Sequence, residues 1–178
     1  MTETIAYTGR IEDERLATGR GRYVADLRLP RLAHAFTVRS VYSHAKIRSI
    51  DTAAAKAAPG VLAVLTGADL AADGIGDLPC GVELPKSDGQ KAHQAKRPVL
   101  ARDRVRFVGE CVVLIVAESV EQAEAAGELV EIDYEPLDAV ADVEPALASG
   151  APTVWDEVPD NIAYVWKKGD NDAFEKVA

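Results

Sequence analysis

The sequence has 178 residues, 48% of them hydrophobic and 28% charged, with a formal net charge of −9. This composition suits one compact domain, and the longest apolar run, Cys111–Ala117, is far shorter than the ~20 residues that cross a bilayer. The acidic balance argues against nucleic acid as a partner, because phosphate binding requires clustered Lys and Arg.

The charge is unevenly distributed along the chain. Residues 1–99 carry 14 basic and 11 acidic side chains, whereas residues 100–178 carry 6 and 18. The acidic half either meets a partner or is only a solvated surface. Cys80 and Cys111 are the two cysteines, and so few predict reduced thiols. The first residues lack a basic region followed by an apolar stretch, so we expect no secretory signal and a cytoplasmic location.

The first predicted elements are an arm and a strand. Residues 1–30 are rich in Gly and Arg and lack periodicity, which predicts an extended N-terminal arm or loop. Alternating apolar residues then predict a strand over Leu32–Arg39, with His34 and Phe36 on the same face.

A strand-helix-strand unit is predicted near residues 46–65. Lys46–Ile50 and Val61–Leu65 are its strands, and a short Ala-rich helix that Asp51 caps lies between them.

A further short helix and a long loop follow. Thr66 and Asp69 have the spacing of a helix-capping pair. Residues 73–97 contain four Gly and no apolar periodicity, which predicts a long loop. Long loops in compact domains are functional, disordered or ordered against a partner, and we expect the last of these.

A second strand-helix-strand unit is predicted near residues 111–134. A strand over Val105–Val108 precedes it, and Cys111–Ala117 is predicted to be a strand buried on both faces because its apolar run does not alternate. Ser119 begins an amphipathic helix, and Val130–Tyr134 alternates as a strand with one acidic face. Together the two units predict an α+β fold with a mixed sheet.

Two glycine patterns in the sequence do not match the loop that binds dinucleotides. Such a loop needs a third glycine, but Val24 stands there after Gly19-Arg-Gly21, and Pro79 stands there after Gly74-Ile-Gly76.

Several titratable side chains admit a catalytic or a structural interpretation. The candidate histidines and carboxylates are His34, His44, His93, Glu131, Asp133 and Glu135. The histidines lack metal-ligand spacing, so structural roles are favoured over acid–base catalysis. The carboxylates share one strand face, where a proton-sharing pair is the alternative to a solvated edge. Cys111 is a candidate nucleophile, but its place in a buried strand favours a small hydrophobe. We therefore predict no catalytic, cofactor-binding or metal-binding residue.

Short motifs follow one another in order from about Gly9 to the end. They are Gly19-x-Gly21-x-Tyr23-x-x-Asp26, Arg39-Ser40, His44-Ala45-x-Ile47, Pro59-Gly60-Val61, Val105-x-Phe107-Val108-Gly109-Glu110, Ala117-Glu118, Leu129-Val130-x-Ile132-Asp133-Tyr134-Glu135-Pro136-Leu137, Ala146-Leu147, Gly150-Ala151-Pro152, Asn161 and Gly169-Asp170. In this order the sequence resembles the large, molybdopterin-binding subunits of molybdenum hydroxylases related to xanthine dehydrogenase, aldehyde oxidase and carbon monoxide dehydrogenase. It departs from them at Cys111, where relatives commonly carry proline.

The resemblance implies an α/β-hammerhead domain over residues 31–160, after an N-terminal arm over residues 1–30. Residues 161–178 resemble the start of the molybdenum-cofactor-binding domain, which implies a cloned fragment or a truncated gene product. The complete enzymes are oxidoreductases that use molybdenum-molybdopterin, [2Fe-2S] clusters and FAD. The resemblance places none of these cofactors in this chain and implies that it is inactive by itself.

Two alternatives for the role of the chain remain open. As an N-terminal structural domain it has as implied partners the remainder of the molybdenum-cofactor subunit and the iron-sulfur and FAD subunits or domains, with no nucleic acid and no membrane. The alternative is an independent small-molecule binding or subunit-interaction module.

Overall fold

The computed structural model describes residues 9–79, 81 and 92–165. Proximity of Cα atoms divides the chain into two units, Met1–Leu32 and Ala33–Ala178. Among the described residues, no helix is both long enough and apolar enough to span a membrane.

The first unit contains two short helical segments. Helix α1 covers Asp13–Ala17, and a single 3-10 turn covers Val24–Asp26. The Leu16 N–H donates to the Glu12 carbonyl at 2.9 Å, and such local bonds close one helical turn. The predicted extended arm is therefore partly helical.

The described part of the second unit contains six strands. They are β1 (His34–Arg39), β2 (Ala45–Asp51), β3 (Val61–Thr66), β4 (Arg104–Val105), β5 (Cys111–Ala117) and β6 (Glu131–Pro136). One three-stranded sheet has the order β1-β5-β3, and the other has the order β4-β2-β6. All pairings between these strands are antiparallel.

The helices of the second unit are short, and the three predicted capping contacts are found at the starts of α2, α3 and α4. Those described are α2 (Ala53–Ala57), α3 (Gly67–Ala72), α4 (Val120–Gly127) and α5 (Val143–Ala146). Asp51 accepts the N–H of Ala53 at 2.8 Å, and the Ser119 hydroxyl accepts an N–H in the first turn of α4. The Asp69 carboxylate accepts the Thr66 N–H at 2.7 Å, which confirms that capping pair.

The α+β class and both strand-helix-strand units are confirmed, but two antiparallel sheets replace the single mixed sheet that was expected. In each unit, one strand enters the first sheet and the other enters the second: β2 and β3 lie in different sheets, and so do β5 and β6. In the first unit, a parallel return beside the same strand would require a connection of about a dozen residues or more, and only nine residues (52–60) separate β2 from β3.

Strand β5 lies at the centre of its sheet, between β1 and β3. Val112, Val113, Ile115 and Ala117 on this strand are fully or almost fully buried, so both of its faces are covered, as the unbroken apolar run predicts. Buried residues of α2, α4 and β2 complete the core, with Phe36 packed against it.

The strand predicted over Val105–Val108 is shorter than expected. Strand β4 ends at Val105 because the Glu110 carboxylate accepts the next backbone N–H, that of Arg106, and so removes it from sheet pairing. The chain then turns at Gly109, whose φ of +90° suits glycine.

The ends of the predicted loop over residues 73–97 lie side by side. The Leu78 N–H donates to the Arg97 carbonyl at 2.8 Å and forms an isolated antiparallel bridge. Residues 80 and 82–91 of this loop, including Cys80, lie outside the described residues, as do residues 166–178 of the predicted C-terminal segment.

Candidate functional site

A cavity of about 420 Å³ opens beside the turn between β4 and β5, and we name it the Phe107 cavity. Its apolar wall is formed by Leu78, Pro98, Val99, Phe107, Val154 and Trp155, and its polar lining by Lys96, Arg97, Arg106, Glu110 and Cys111. A volume of ~300–1000 Å³ with apolar walls and a few polar groups is typical of binding sites. The Phe107 cavity is therefore the candidate functional site of the described residues.

Arg106 connects two sides of this cavity. Its guanidinium carbon lies 3.8 Å from the ring centroid of Trp155, and its Nε donates to the Val154 carbonyl at 3.3 Å. Its backbone N–H donates to the Glu110 carboxylate. The first two contacts hold the guanidinium over the indole, where its charge is attracted to the ring face.

The turn at residues 107–110 is tied to the end of β1. Ser40 donates its N–H to the Glu110 carbonyl and accepts the N–H of Gly109, both at 2.8 Å. The Arg39 guanidinium donates to the Gly109 carbonyl at 2.8 Å and to the Cys111 sulfur at 3.2 Å. The Arg39-Ser40 and Gly109-Glu110 motifs are thus hydrogen-bonded to each other.

An ion pair connects the Trp155 segment to β4. The Arg104 guanidinium contacts the two Asp156 carboxylate oxygens at 2.9 and 3.4 Å. The hydrogen bond from Arg104, and then its positive charge, lower the pKa of Asp156 below its ordinary value.

Asn161 holds the segment that follows α5. Its side-chain oxygen accepts the Val154 N–H, and its amide nitrogen donates to the carbonyls of Ala146 and Pro152, all at 3.0 Å. Its backbone has a φ of +56°, a conformation that Asn adopts more readily than most residues. Asn161 thereby positions Val154 and Trp155 at the cavity.

The three histidines occupy separate structural positions. His34 begins β1, and His44 is buried, with its Nδ1 2.8 Å from the Asp138 carbonyl. Its Nε2 is buried without a hydrogen-bond partner among the described residues. The His93 ring is tilted against Trp155 at a centroid distance of 6.0 Å.

The carboxylates predicted on one strand face lie on β6. Glu135 contacts Lys46 at 3.9 Å and Arg48 at 3.3 Å across the β2 pairing, whereas Glu131 and Asp133 are exposed. Glu135 is thus paired with cations and not with a second carboxylate.

The glycines of the two rejected nucleotide-loop patterns follow helices. Gly19 comes after α1 with a φ of +69°, and Gly74 comes after α3 with a φ of +75°. Left-handed glycines of this kind commonly end helices.

Sequence reasoning missed Arg106, Trp155 and Asn161 as site residues. Asn161 is one position in the order of motifs, and nothing in the local sequence indicates that Arg106 and Trp155 meet. Cys111 does line the cavity, where its thiol is half-buried.

No cluster that could hold a metal ion is present among residues 9–79, 81 and 92–165, where no three His, Cys, Asp or Glu side chains come together. A catalytic metal site requires about three converging protein ligands. The described side chains therefore do not fit a metal centre, and we derive no chemical step through one.

Comparison with known proteins finds one matching family and several relatives of this chain. The family described as aldehyde oxidase and xanthine dehydrogenase, a/b hammerhead domain, matches residues 18–138. The nicotine 6-hydroxylase large subunit of Paenarthrobacter nicotinovorans is 42% identical over 86% of this chain. The carbon monoxide dehydrogenase large chain of Afipia carboxidovorans is 40% identical over 86% of this chain. The chain spans 18% of the length of each of these relatives.

Comparison with solved structures indicates the same family as comparison of sequences. The reconstituted CO dehydrogenase of Oligotropha carboxidovorans superimposes with a TM-score of 0.74 at 36% identity, over 94% of this chain and 21% of that one. Both the sequence over residues 18–138 and the arrangement of the strands are thus those of the hammerhead domain.

Proposed function

The chain belongs to the aldehyde oxidase and xanthine dehydrogenase family through its α/β-hammerhead domain, and on that premise we propose that it is a packing scaffold in a molybdenum hydroxylase large subunit. The observation that carries this proposal is the match of 86% of the chain to only 18% of each large-subunit relative. The catalytic machinery of such an oxidoreductase is then contributed by other parts of the enzyme.

The described side chains support a structural role. Glu135, Asp156 and Glu110 are engaged by cations or backbone groups, and His44 is buried against a carbonyl. These contacts join neighbouring strands and segments, as is expected of a scaffold. We extend the proposal to inactivity of this chain by itself.

The proposed organisation has three parts. Residues 1–30 are an arm, residues 31–160 are the hammerhead domain, and residues 161–178 begin the cofactor-binding domain. The cofactors proposed for the complete enzyme are molybdenum-molybdopterin, [2Fe-2S] clusters and FAD, and we propose that other parts of the enzyme hold them.

The proposed partners are the remainder of the molybdenum-cofactor subunit and the iron-sulfur and FAD subunits or domains. Names of relatives support this, since they include the gamma subunit of a 6-hydroxypseudooxynicotine dehydrogenase complex and a xanthine dehydrogenase molybdenum-binding subunit. The proposal includes a cytoplasmic location, where the free thiol of Cys111 would stay reduced.

Association with the missing part of a large subunit tests the proposal. The probe is the Afipia carboxidovorans large chain produced without the segment that aligns with this chain, here named the shortened large chain. Its own aligned segment, added back as a separate polypeptide, is the positive control. Sedimentation velocity is expected to show a one-to-one complex of this chain with the shortened large chain.

Two results would count against the scaffold. One is no complex with this chain under conditions in which the control segment binds. The other is stoichiometric molybdenum, measured by elemental analysis, in this chain purified alone.

The second candidate function is an independent small-molecule binding module, which the volume and lining of the Phe107 cavity favour. A thermal-shift screen distinguishes it, because a ligand that binds the folded state raises the Tm in proportion to its concentration and affinity.

A further inference from the structure

Large apolar side chains are exposed around the Phe107 cavity. The exposed fractions of three lining side chains are 51% for Phe107, 51% for Leu78 and 42% for Val99. Single exposed apolar residues are common on proteins, but a contiguous group around a concave site is typical of an interaction surface.

The same cavity carries exposed positive charge. Lys96 and Arg97 line it, and neither forms an ion pair with another residue in the described ranges. Both residues lie in positions 1–99, which carry more basic than acidic side chains, whereas positions 100–178 are strongly acidic. An apolar centre with charged groups around it is the usual arrangement of a protein interface, and these cations favour a carboxylate-bearing partner.

The cavity wall is fixed before any partner binds. Arg39 and Ser40 hold the turn that presents Phe107, and Asn161 holds the segment that presents Trp155. A surface whose side chains and backbone are already ordered loses less conformational entropy on association. The cavity is therefore suited to receive a protruding side chain.

The length of the large chains of the relatives indicates which partner the Phe107 cavity receives. Most of each large chain lies outside the segment that aligns with this chain, and under the proposed function the hammerhead domain packs against that remainder. We infer that the Phe107 cavity receives an apolar side chain flanked by carboxylates from the cofactor-binding part of the large subunit. This inference rests on the proposed function and names the surface through which it acts.

Substitutions at the cavity mouth test the inference with the shortened large chain. Phe107→Asp is expected to weaken association by about 30-fold or more, as is typical of a buried aromatic hot spot. Val99→Asp, at a lining side chain that is 42% exposed, serves as a second variant. Leu62→Asp, at a side chain that is 58% exposed on β3 and outside the cavity lining, is the matched control and should bind like the unaltered chain.

The charge of the partner is tested separately. The double variant Lys96→Glu/Arg97→Glu is expected to bind about 10-fold more weakly and to show a smaller dependence on salt than the unaltered chain. Lys56→Glu, on the exposed side of α2, is the control for a change in net charge.

Cys111 provides an internal probe of occupancy. In a Cys80→Ser background, alkylation of Cys111 by iodoacetamide is expected to be lost when the shortened large chain binds, because the thiol lines the cavity. Continued alkylation at the rate of the free chain would show that the cavity stays open in the complex.

The outcomes separate this inference from the proposed function. If the unaltered chain does not associate, the proposed function fails. If it associates, and if Phe107→Asp and Val99→Asp are folded by circular dichroism and bind like Leu62→Asp, only the cavity inference fails. A rise in Tm with benzoate that Phe107→Asp abolishes, without any effect of that variant on association, would assign the cavity to a small anion and overturn docking.

Discussion

The guanidinium of Arg106 is stacked on the indole of Trp155, 3.8 Å from the ring centroid. The two residues come from different segments, one after β4 and one after α5, so the contact closes one side of the Phe107 cavity. A cation over an aromatic face contributes ~0.5–2 kcal/mol, with the larger value where water is excluded.

A double-mutant cycle measures this contact. We expect Arg106→Gln and Trp155→Leu each to lower the free energy of unfolding, with a coupling energy of about 0.5–2 kcal/mol in urea denaturation followed by circular dichroism. Arg48→Gln combined with Trp155→Leu is the control, because Arg48 pairs with Glu135 on the β2–β6 edge. Equal coupling in both cycles would contradict a specific stacking contribution.

Asn161 should tolerate glycine better than alanine. Both substitutions remove the three side-chain hydrogen bonds, and only alanine also strains a backbone whose φ is +56°. We expect Asn161→Gly to cost about 1–3 kcal/mol and Asn161→Ala to cost about 1 kcal/mol more. The Tm of both variants checks the order, and an Asn161→Ala protein as stable as Asn161→Gly would show that the backbone is not strained there.

The features predicted correctly from sequence are local ones. Asp51, Ser119 and the Thr66–Asp69 pair lie within a few residues of the N–H groups that they bind, so spacing alone identifies them. The burial of β5 follows likewise from its own apolar run.

The features that sequence reasoning missed depend on distant residues. The early end of β4 results from the carboxylate of Glu110 and not from residues 106–108 themselves. The division into two sheets depends on which strand each unit meets, and the cavity depends on Arg106 meeting Trp155. Helix propensity and strand periodicity carry no information on such contacts.

Two helical glycines are expected to respond differently to alanine. A methyl group at Gly67 would lie 2.7 Å from the Ala101 carbonyl oxygen, and Ala101 is itself bonded to β5. A methyl group at Gly127 would lie 2.6 Å from the Phe36 ring, which is only half-buried. We expect Gly67→Ala to destabilise by about 1–3 kcal/mol despite the better helix propensity of alanine.

The glycine prediction has two controls, one at a glycine with open space around it and one in which a second substitution relieves the clash. Gly76→Ala, where nothing lies within 4 Å of the added methyl, should change stability by less than about 0.5 kcal/mol. Any loss in Gly127→Ala should be relieved by Phe36→Leu in the same chain. No such rescue exists for Gly67→Ala, since its clash is with backbone, and a stable Gly67→Ala protein would contradict the close packing of α3.

The Thr66–Asp69 pair gives the fold an acid-sensitive element. The Thr66 hydroxyl, and then the Thr66 backbone N–H, donate to the Asp69 carboxylate and lower its pKa below the ordinary value of 3.8. A carboxylate whose pKa is lower in the folded state binds protons more weakly there than in the unfolded chain. The contribution of Asp69 to the free energy of unfolding is therefore complete above pH ~4. It is lost as the pH falls through the pKa of Asp69 in the folded state.

Asp69→Asn should reduce the dependence of the free energy of unfolding on pH in the acid range. The amide oxygen can still accept the Thr66 N–H, so we expect a loss of about 1 kcal/mol or less at pH 7 and a smaller decline of stability between pH 4 and the acid limit than in the unaltered chain. Asp142→Asn is the matched control, because the Asp142 side chain makes no capping bond to α5. The measurement is the free energy of urea unfolding from pH 7 down to pH 2.5. If Asp69→Asn and the unaltered chain lose stability in parallel across that range, the charge of Asp69 does not stabilise the cap, and its hydrogen bonds alone hold the start of α3.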